Sequence, residues 1–407
     1  MQQPNRSPNL RQRNREAILR YLFLHAPCSR LELSQVTGLS PGAVTNIVAE
    51  LLDERVIYEQ GSIESEGGRP RVLLAPNPTF CMLVGVDLGE THLQMELFDF
   101  TLRCLHQVRL PVKESHPDTD VQLIARAWRE LVQATGIDSE QVLGIGIGVP
   151  GVVEHDGDIA VAAPHWHWES VQLYRLLQAY LPAPIYIDNG AKAMTLAESW
   201  FGAGRNARHL AVILIGTGVG AGIITHGELY RGATNSAGEW GHTKLLPGGR
   251  QCRCGSHGCL EAYVGAPGIL RTWAEMTGAA VTNDQVAGLY ALHEAWRSGD
   301  ISAQRVLDTT AQYLGLGLAN LANLFNPERI VLGGWVGSLL GETLLNAVRP
   351  YLTQYALPPS LRNLDIRLGQ LGQEAVCTGA ACLVLERFFQ GHKRFQKRGA
   401  SGRLDNE

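Results

Sequence analysis

Residues 210–230 read LAVILIGTGVGAGIITHGELY: an apolar run to Ile215, the turn Gly216-Thr217-Gly218, a second apolar run over 219–225 and a short return at 228–230. Apolar runs of this length bounded by glycines predict strand, tight turn and strand. The same order occurs earlier, where 81–87 ends in Asp87, Leu88-Gly89-Glu90-Thr91 forms the turn, and 93–98 and 102–110 follow. Two copies of one unit predict a duplicated α/β architecture. Helical periodicity at 121–135, 191–201, 303–325 and 339–352 supplies the layers that cover both sheets.

The 407 residues, 45% of them hydrophobic, suffice for two to four domains with ample core and exclude extended disorder. No apolar run approaches the ~18 residues of a membrane span, and the arginine-rich start lacks an apolar signal core, so the expected location is the cytoplasm, with no membrane partner. A net charge of −4 argues against wholesale coating by nucleic acid, yet the start carries Arg6, Arg11, Arg13, Arg15, Arg20 and Arg30 against the single acid Glu16. A basic module thus precedes an acidic remainder. The basic tail with Lys393, Arg394, Lys397 and Arg398 is left open between helix extension and disorder.

Between 14 and 55 the apolar spacing predicts three short helices, with Ser29 and Ser40 as N-caps and Pro41 at a first helical position, where its missing N–H costs nothing. Gly67-Gly68-Arg69-Pro70-Arg71 between apolar stretches reads as the tip of a two-stranded wing, and Ala75-Pro76-Asn77-Pro78 as a linker. A winged helix-turn-helix offers the start of its recognition helix, here Ser40, Pro41, Gly42, Thr45 and Asn46, to base edges in the major groove. Phosphate attraction falls to Arg11, Arg13, Arg15 and Arg30, with Arg69 and Arg71 in the wing and Arg69 aimed at the minor groove. Helix lengths, turn, wing and charge together favour double-stranded DNA over a helical protein-interaction module with a solvated arginine face.

Three of the eight cysteines, Cys252, Cys254 and Cys259, crowd into one short glycine-rich segment that follows Gly238-Glu239-Trp240-Gly241-His242. That distribution favours a metal over disulfides. Cys252, Cys254, Cys259 and His242 form a closed tetrahedral set suited to a structural zinc ion, Zn2+, with His257 as a competing imidazole expected to point outward. The loop has little apolar content of its own, so a metal would hold Glu239 and Glu261 in place on its flanks. Fixed carboxylates accept hydrogen bonds from sugar hydroxyls, a use that their spacing alone does not establish.

The Gly-Glu-x-Gly-His segment with its cysteine cluster, Asp87-Leu88-Gly89-Glu90-Thr91, GIGVPG at 146–151, the glycines of 216–222, and Asn326-Pro327 with Gly333-Gly334 resemble the ROK family of repressors, open reading frames and sugar kinases. The likeness covers nearly the whole chain, and the winged helix is similar to the repressor branch. It implies a two-lobed actin-like, ribonuclease H-like fold with sugar in the cleft and a homodimer or homotetramer. It also implies that His242 gives one ring nitrogen to zinc and the other to sugar, and that Asn189, Glu239 and Glu261 contact sugar as well. The domains expected are a winged helix-turn-helix at 1–78, a first lobe at 79–195 completed by a C-terminal helix at about 375–390, and a second lobe with the zinc site at 196–374.

Kinase members of the family carry an Asn-Asp pair at the start of the helix that follows the cleft strand, and the aspartate is the catalytic base. Alignment of Asp188-Asn189-Gly190-Ala191-Lys192 with that segment puts Gly190 at the aspartate position, with Asp188 as a substitute only if the turn is re-registered. Loss of a general base typically removes 10²–10⁴ in rate. The glycine loops then either hold nucleotide phosphate and Mg2+ with Asp87, Gly89 and Thr91, or stand as tight turns that need positive φ, the favoured reading. Lys192 offers an ammonium to a sugar phosphate or acid, or lies on the helix surface. In Pro164-His165-Trp166-His167-Trp168 the tryptophans either shape the pocket or anchor the core. The expected function is a sugar-responsive transcriptional regulator, a repressor, that binds operator DNA and a carbohydrate or sugar-phosphate effector without phosphorylating it. The rivals are an active sugar kinase with a DNA-binding appendage and a regulator controlled by a protein partner.

Overall fold

The computed structural model describes residues 10–65, 68–113, 115–154 and 159–391, with side chains for all of these except 65, 68 and 69. Arg6, the side chain of Arg69 and the basic tail lie outside the described set. Helices Leu10–His25, Arg30–Thr37 and Pro41–Asp53 pack around Ile18, Leu22, Leu33, Val44 and Val48, which are buried. Both expected caps form: Ser29 Oγ accepts from the Glu32 amide at 3.2 Å and Ser40 Oγ from the Ala43 amide at 3.3 Å. Ile57–Ser65 and Gly68–Pro76 make the antiparallel wing.

The linker reading is corrected. Ala75 and Pro76 end the second wing strand and are buried, and Asn77 donates its amide to Val56 O at 2.9 Å. The module instead shares a core with the rest of the chain. Phe23 meets Phe100 and Phe389 at 4.9 Å each, and Phe80 meets Phe100 at 4.8 Å. Rings in this range gain from burial and from edge contacts.

The duplication is present in full. One sheet runs Ile185–Asn189, Val142–Val149, Met82–Leu88, His92–Asp99, Cys104–Pro111; the other runs Asp365–Leu368, Arg329–Gly333, Leu210–Ile215, Val219–Thr225, Glu228–Leu229. In each, the central first strand pairs antiparallel with the second and parallel with the fourth. The C-terminal helix Ala375–Phe389 lies on the first sheet. It approaches so closely that a Cβ at Gly146 would stand 1.8 Å from Ala380 O and one at Gly85 2.0 Å from Cys377 O.

The proposed lobe boundary at 195/196 falls inside helix Gly190–Phe201, which packs on both the C-terminal helix and Val219–Thr225 and so joins the lobes. Helices Ala266–Thr277 and Gln285–Arg297 cover the second lobe beside Ile301–Phe325 and Gly334–Tyr355. No helix among the described residues is long and apolar enough to cross a membrane.

Beneath the first lobe's cleft edge Glu96 is fully buried; its Oε1 accepts from Gln94 Nε2 and its Oε2 has no hydrogen-bond partner. Burial pushes Glu96 up to about 7, and burial together with Glu96 pushes Asp87 up to about 7. A carboxyl that titrates higher folded than unfolded contributes stability that is full below its ordinary value of 4.5 and is lost as pH rises through about 7. Urea unfolding of Glu96→Gln should therefore show a flatter pH profile, gaining about 2–3 kcal/mol on the parent between about pH 4 and pH 8. Parallel profiles would contradict this burial argument.

Candidate functional site

The cysteine segment folds back on itself through two glycines in the left-handed region, Gly255 (φ 85) and Gly258 (φ 74). A one-turn helix Trp240–His242 brings His242 alongside. The donor atoms of His242, Cys252, Cys254 and Cys259 lie within 4.8 Å of one another. His242 Nδ1 is 3.7 Å from Cys252 Sγ, and Cys254 Sγ is 3.8 Å from Cys259 Sγ. A tetrahedral ion with bonds of ~2.3 Å to sulfur has S···S edges of about 3.8 Å, so the set fits a metal such as zinc and is too open for a disulfide. His257 is exposed, outside the set.

A cleft of about 330 Å³ opens beside this centre, and Asn189, Gly190, Glu239, His242 and Glu261 all line it. His242 Nε2, the nitrogen turned from the sulfurs, stands 3.9 Å from Glu239 Oε2. Burial raises Glu239 above the ordinary carboxyl range, opposed by His242 and Lys192. Glu261 is 8% exposed and accepts from the Val219 amide at 2.9 Å, tying the metal loop to the glycine turn. Asn189 caps helix Gly190–Phe201: its Oδ1 accepts from the Ala191 amide at 2.8 Å and its Nδ2 donates to Gly151 O at 2.7 Å. Oδ1 also accepts from the Lys192 amide at 3.4 Å, so the side chain is oriented with one N–H left for a ligand.

Several expectations change. Lys192 is neither on the surface nor in the cleft; it is 2% exposed, donates to Asn235 O and lies 3.9 Å from Asp188. Asp188, 1% exposed, accepts from the Asn189 amide at 2.8 Å, from Asn235 Nδ2 at 3.0 Å and from Arg231. It is committed to a buried network and is not among the residues that line the cleft. Arg231 also reaches Glu386 at 3.5 Å, and Glu386 reaches Arg20 of the winged helix at 3.9 Å.

Trp168 is 1% exposed and Trp166 packs against it at 5.2 Å, so the tryptophans are core anchors; Pro164 and His165 are the cleft residues of that segment. The turn glycines 89, 216 and 218 do not have positive φ. Close packing requires them: a Cβ at Gly216 would stand 3.2 Å from the Trp335 ring and one at Gly89 2.9 Å from His92 O.

On the recognition helix Ser40, Pro41, Gly42, Thr45 and Asn46 are exposed along one face. Arg11 pairs with Glu50, Arg15 with Glu54 at 2.5 Å and Arg30 with Glu59 at 3.4 Å, whereas Arg13 and Arg71 are exposed. Exposed pairs of this kind are worth ~0–1 kcal/mol, so phosphate can replace the glutamates at little cost. Sequence reasoning missed Glu90, His165, Arg231 and Arg253. Arg253 was visible between two cysteines and Glu90 inside the quoted turn, but nothing in one dimension paired them.

The sequence model of the ROK family matches residues 83–387, and that of a winged helix-turn-helix DNA-binding domain matches 11–58. The xylose repressor of Caldicellulosiruptor bescii is 30% identical over 92% of this chain and 96% of its own. A glucokinase of Halalkalibacterium halodurans is 34% identical over 75% of this chain and 95% of its own. Among solved structures, a ROK family transcriptional regulator described as a homologue of the Escherichia coli MLC protein superposes with a TM-score of 0.77 at 26% identity. It covers 94% of this chain and 97% of its own.

Proposed function

The chain belongs to the ROK family, and from that membership we propose that it is a sugar-responsive transcriptional repressor whose cleft binds a carbohydrate without phosphorylating it. One observation supports the non-catalytic half: Gly190, which the sequence reading aligns with the kinase base, lines the cleft, while the neighbouring Asp188 is locked against Arg231 and Asn235. No other carboxylate of the helix start reaches the cleft among the described residues. Asn189, Glu239, His242 and Glu261 are the proposed sugar contacts, a mixed donor and acceptor set that suits vicinal hydroxyls.

His242, Cys252, Cys254 and Cys259 would hold zinc, which closes the loop and leaves no coordination position for water. With Nδ1 turned to the sulfurs, His242 keeps Nε2 for the ligand, and Glu261 holds the glycine turn. The winged helix, acting in the cytoplasm as a homodimer or homotetramer, would read a palindromic operator. Two physical links support coupling. Helix Gly190–Phe201 runs from the cleft to Trp200, over which the Arg20 guanidinium sits at 5.7 Å. The ion chain Arg20, Glu386, Arg231, Asp188 ends on the residue before Asn189. Sugar need only bind the non-operator arrangement better than the operator one.

At the DNA face, Arg13→Ala should weaken binding evenly across sequences and lower the salt slope by about 1, whereas Asn46→Ala should relax sequence preference at a cost of about 1–3 kcal/mol. Salt titrations against operator and scrambled DNA check this; identical behaviour of the two variants would count against the docking. For the cleft, ATP consumption by the full chain is measured with Mg2+ and uncharged pentoses, hexoses and amino sugars. No sugar-dependent turnover is expected. Turnover that Asp188→Asn abolishes would assign the chain to the kinases.

A further inference from the structure

Glu90 belongs to the first lobe's glycine turn, yet its carboxylate lies against the second lobe's. A Cβ built on Gly218 would stand 3.0 Å from Glu261 Oε2, 3.2 Å from Arg253 Nη2 and 3.6 Å from Glu90 Oε1. Arg253 Nη1 donates to Glu90 Oε2 at 2.5 Å, and its other nitrogen is 3.6 Å from Glu261. The pair spans the two lobes and is only partly open to solvent, with side chains 17% and 32% exposed. His165 Nε2 completes the cluster at 3.7 Å from Glu90 Oε1 and has no hydrogen-bond partner. Burial holds that imidazole below its ordinary value, so it adds a dipole and no fixed charge.

The cleft lining carries the acids Asp87, Glu90, Glu239 and Glu261 against the guanidinia Arg109 and Arg253. Arg109 donates to Gln373 at 3.3 Å, outside this cluster. Among the described residues Arg253 is therefore the guanidinium at the glycine turn, and a carboxylate of the same chain already neutralises it. A glycine turn with a guanidinium beside it is otherwise a good place for phosphate oxygens. We propose that Glu90 is a built-in anion, clamped by Arg253 of the opposite lobe's cysteine segment, and that this pair makes the cleft select an uncharged sugar and reject nucleotides, sugar phosphates and sugar acids. The proposal rests on the sugar-sensor reading and names its ligand class. An incoming phosphate would have to displace Glu90 and would meet Glu239 and Glu261 beside it. A neutral ring meets no such opposition and gains acceptors for its hydroxyls.

The test is equilibrium titration of the full chain with pyrophosphate and with Mg-ATP, comparing the parent, Glu90→Gln, Arg253→Gln and the double variant. Thermal melts on the same preparations verify folding. Glu90→Gln keeps shape and removes the competing charge, so its affinity for pyrophosphate should rise about 10–100-fold over the parent, as loss of one like charge at this range implies. Arg253→Gln and the double variant should show no such gain. Parent and Glu90→Gln binding pyrophosphate or Mg-ATP equally would overturn the proposal, as would a gain that survives in the double variant. A thermal-shift panel of uncharged sugars on the parent keeps the two levels apart. Stabilisation there with no gain in Glu90→Gln sinks only the internal anion, whereas no stabilisation by any sugar sinks the sensor reading beneath it.

Discussion

Replacing Cys254 with serine should cost the protein its metal, the order of its 243–260 loop and its response to sugar in one step. The loop has turns and two isolated bridges, Lys244 with Cys259 and Gln251 with His257, and it is rich in glycine. On the proposed reading, metal coordination adds to the support that Arg250 gives the loop through Tyr263, Gly268 and Thr272. Changes in groups that merely support metal ligands cost 10–100-fold in affinity, so loss of a thiolate should exceed about 100-fold. His242 and Glu261 would then lose their fixed positions, since one belongs to the donor set and the other holds the glycine turn through Val219. Elemental analysis and thermal shift on the purified variant check both halves. Cys104→Ser, at an exposed cysteine outside the cluster, serves as the control and should keep metal and response. A metal-free Cys254→Ser that still shifts with sugar would contradict the scaffold role.

Arg231→Ala carries the second large effect. The guanidinium neutralises Asp188, 1% exposed, and Glu386, whose carboxyl burial already pushes up. Removing one partner of a buried ion network leaves uncompensated charge and costs about 3–5 kcal/mol. Arg231→Ala combined with Asp188→Asn should recover part of that loss, because the orphaned charge disappears with its partner. Both variants should show a weakened sugar effect on DNA binding, since the chain from Arg20 to Asn189 is cut in each. Urea unfolding and operator titrations read the two quantities separately. Loss of stability with an undiminished sugar effect would assign the network to folding alone.

The duplicated lobes were legible because buried strands between glycine turns write themselves as apolar runs, and the same run occurs at Met82–Leu88 and Leu210–Ile215. Helix caps at Ser29 and Ser40 and the Cys3His set were equally local, each fixed by residues within a short span or by donor chemistry. Contacts between distant residues were not legible. Arg253 and Glu90 are 163 positions apart and Arg231 and Asp188 43 apart, and no periodicity links either pair. Lys192 occupies a helix position that looks like surface until the second lobe covers it, and Trp168 looks like a sugar platform until the first lobe's core closes around it. The shared aromatic core of Phe23, Phe100 and Phe389 was not legible because the three lie far apart in the chain, and a proline-containing segment suggested separation between Phe23 and the other two.

The most direct measurement is fluorescence anisotropy of operator-bearing DNA titrated with the full chain at one fixed salt concentration, without sugar and with a saturating uncharged sugar that stabilises the fold. A sugar-responsive repressor binds the operator more tightly than scrambled DNA, and the sugar shifts Kd by about 5–150-fold, a coupling of ~1–3 kcal/mol. An operator Kd that stays the same with and without that sugar would contradict it.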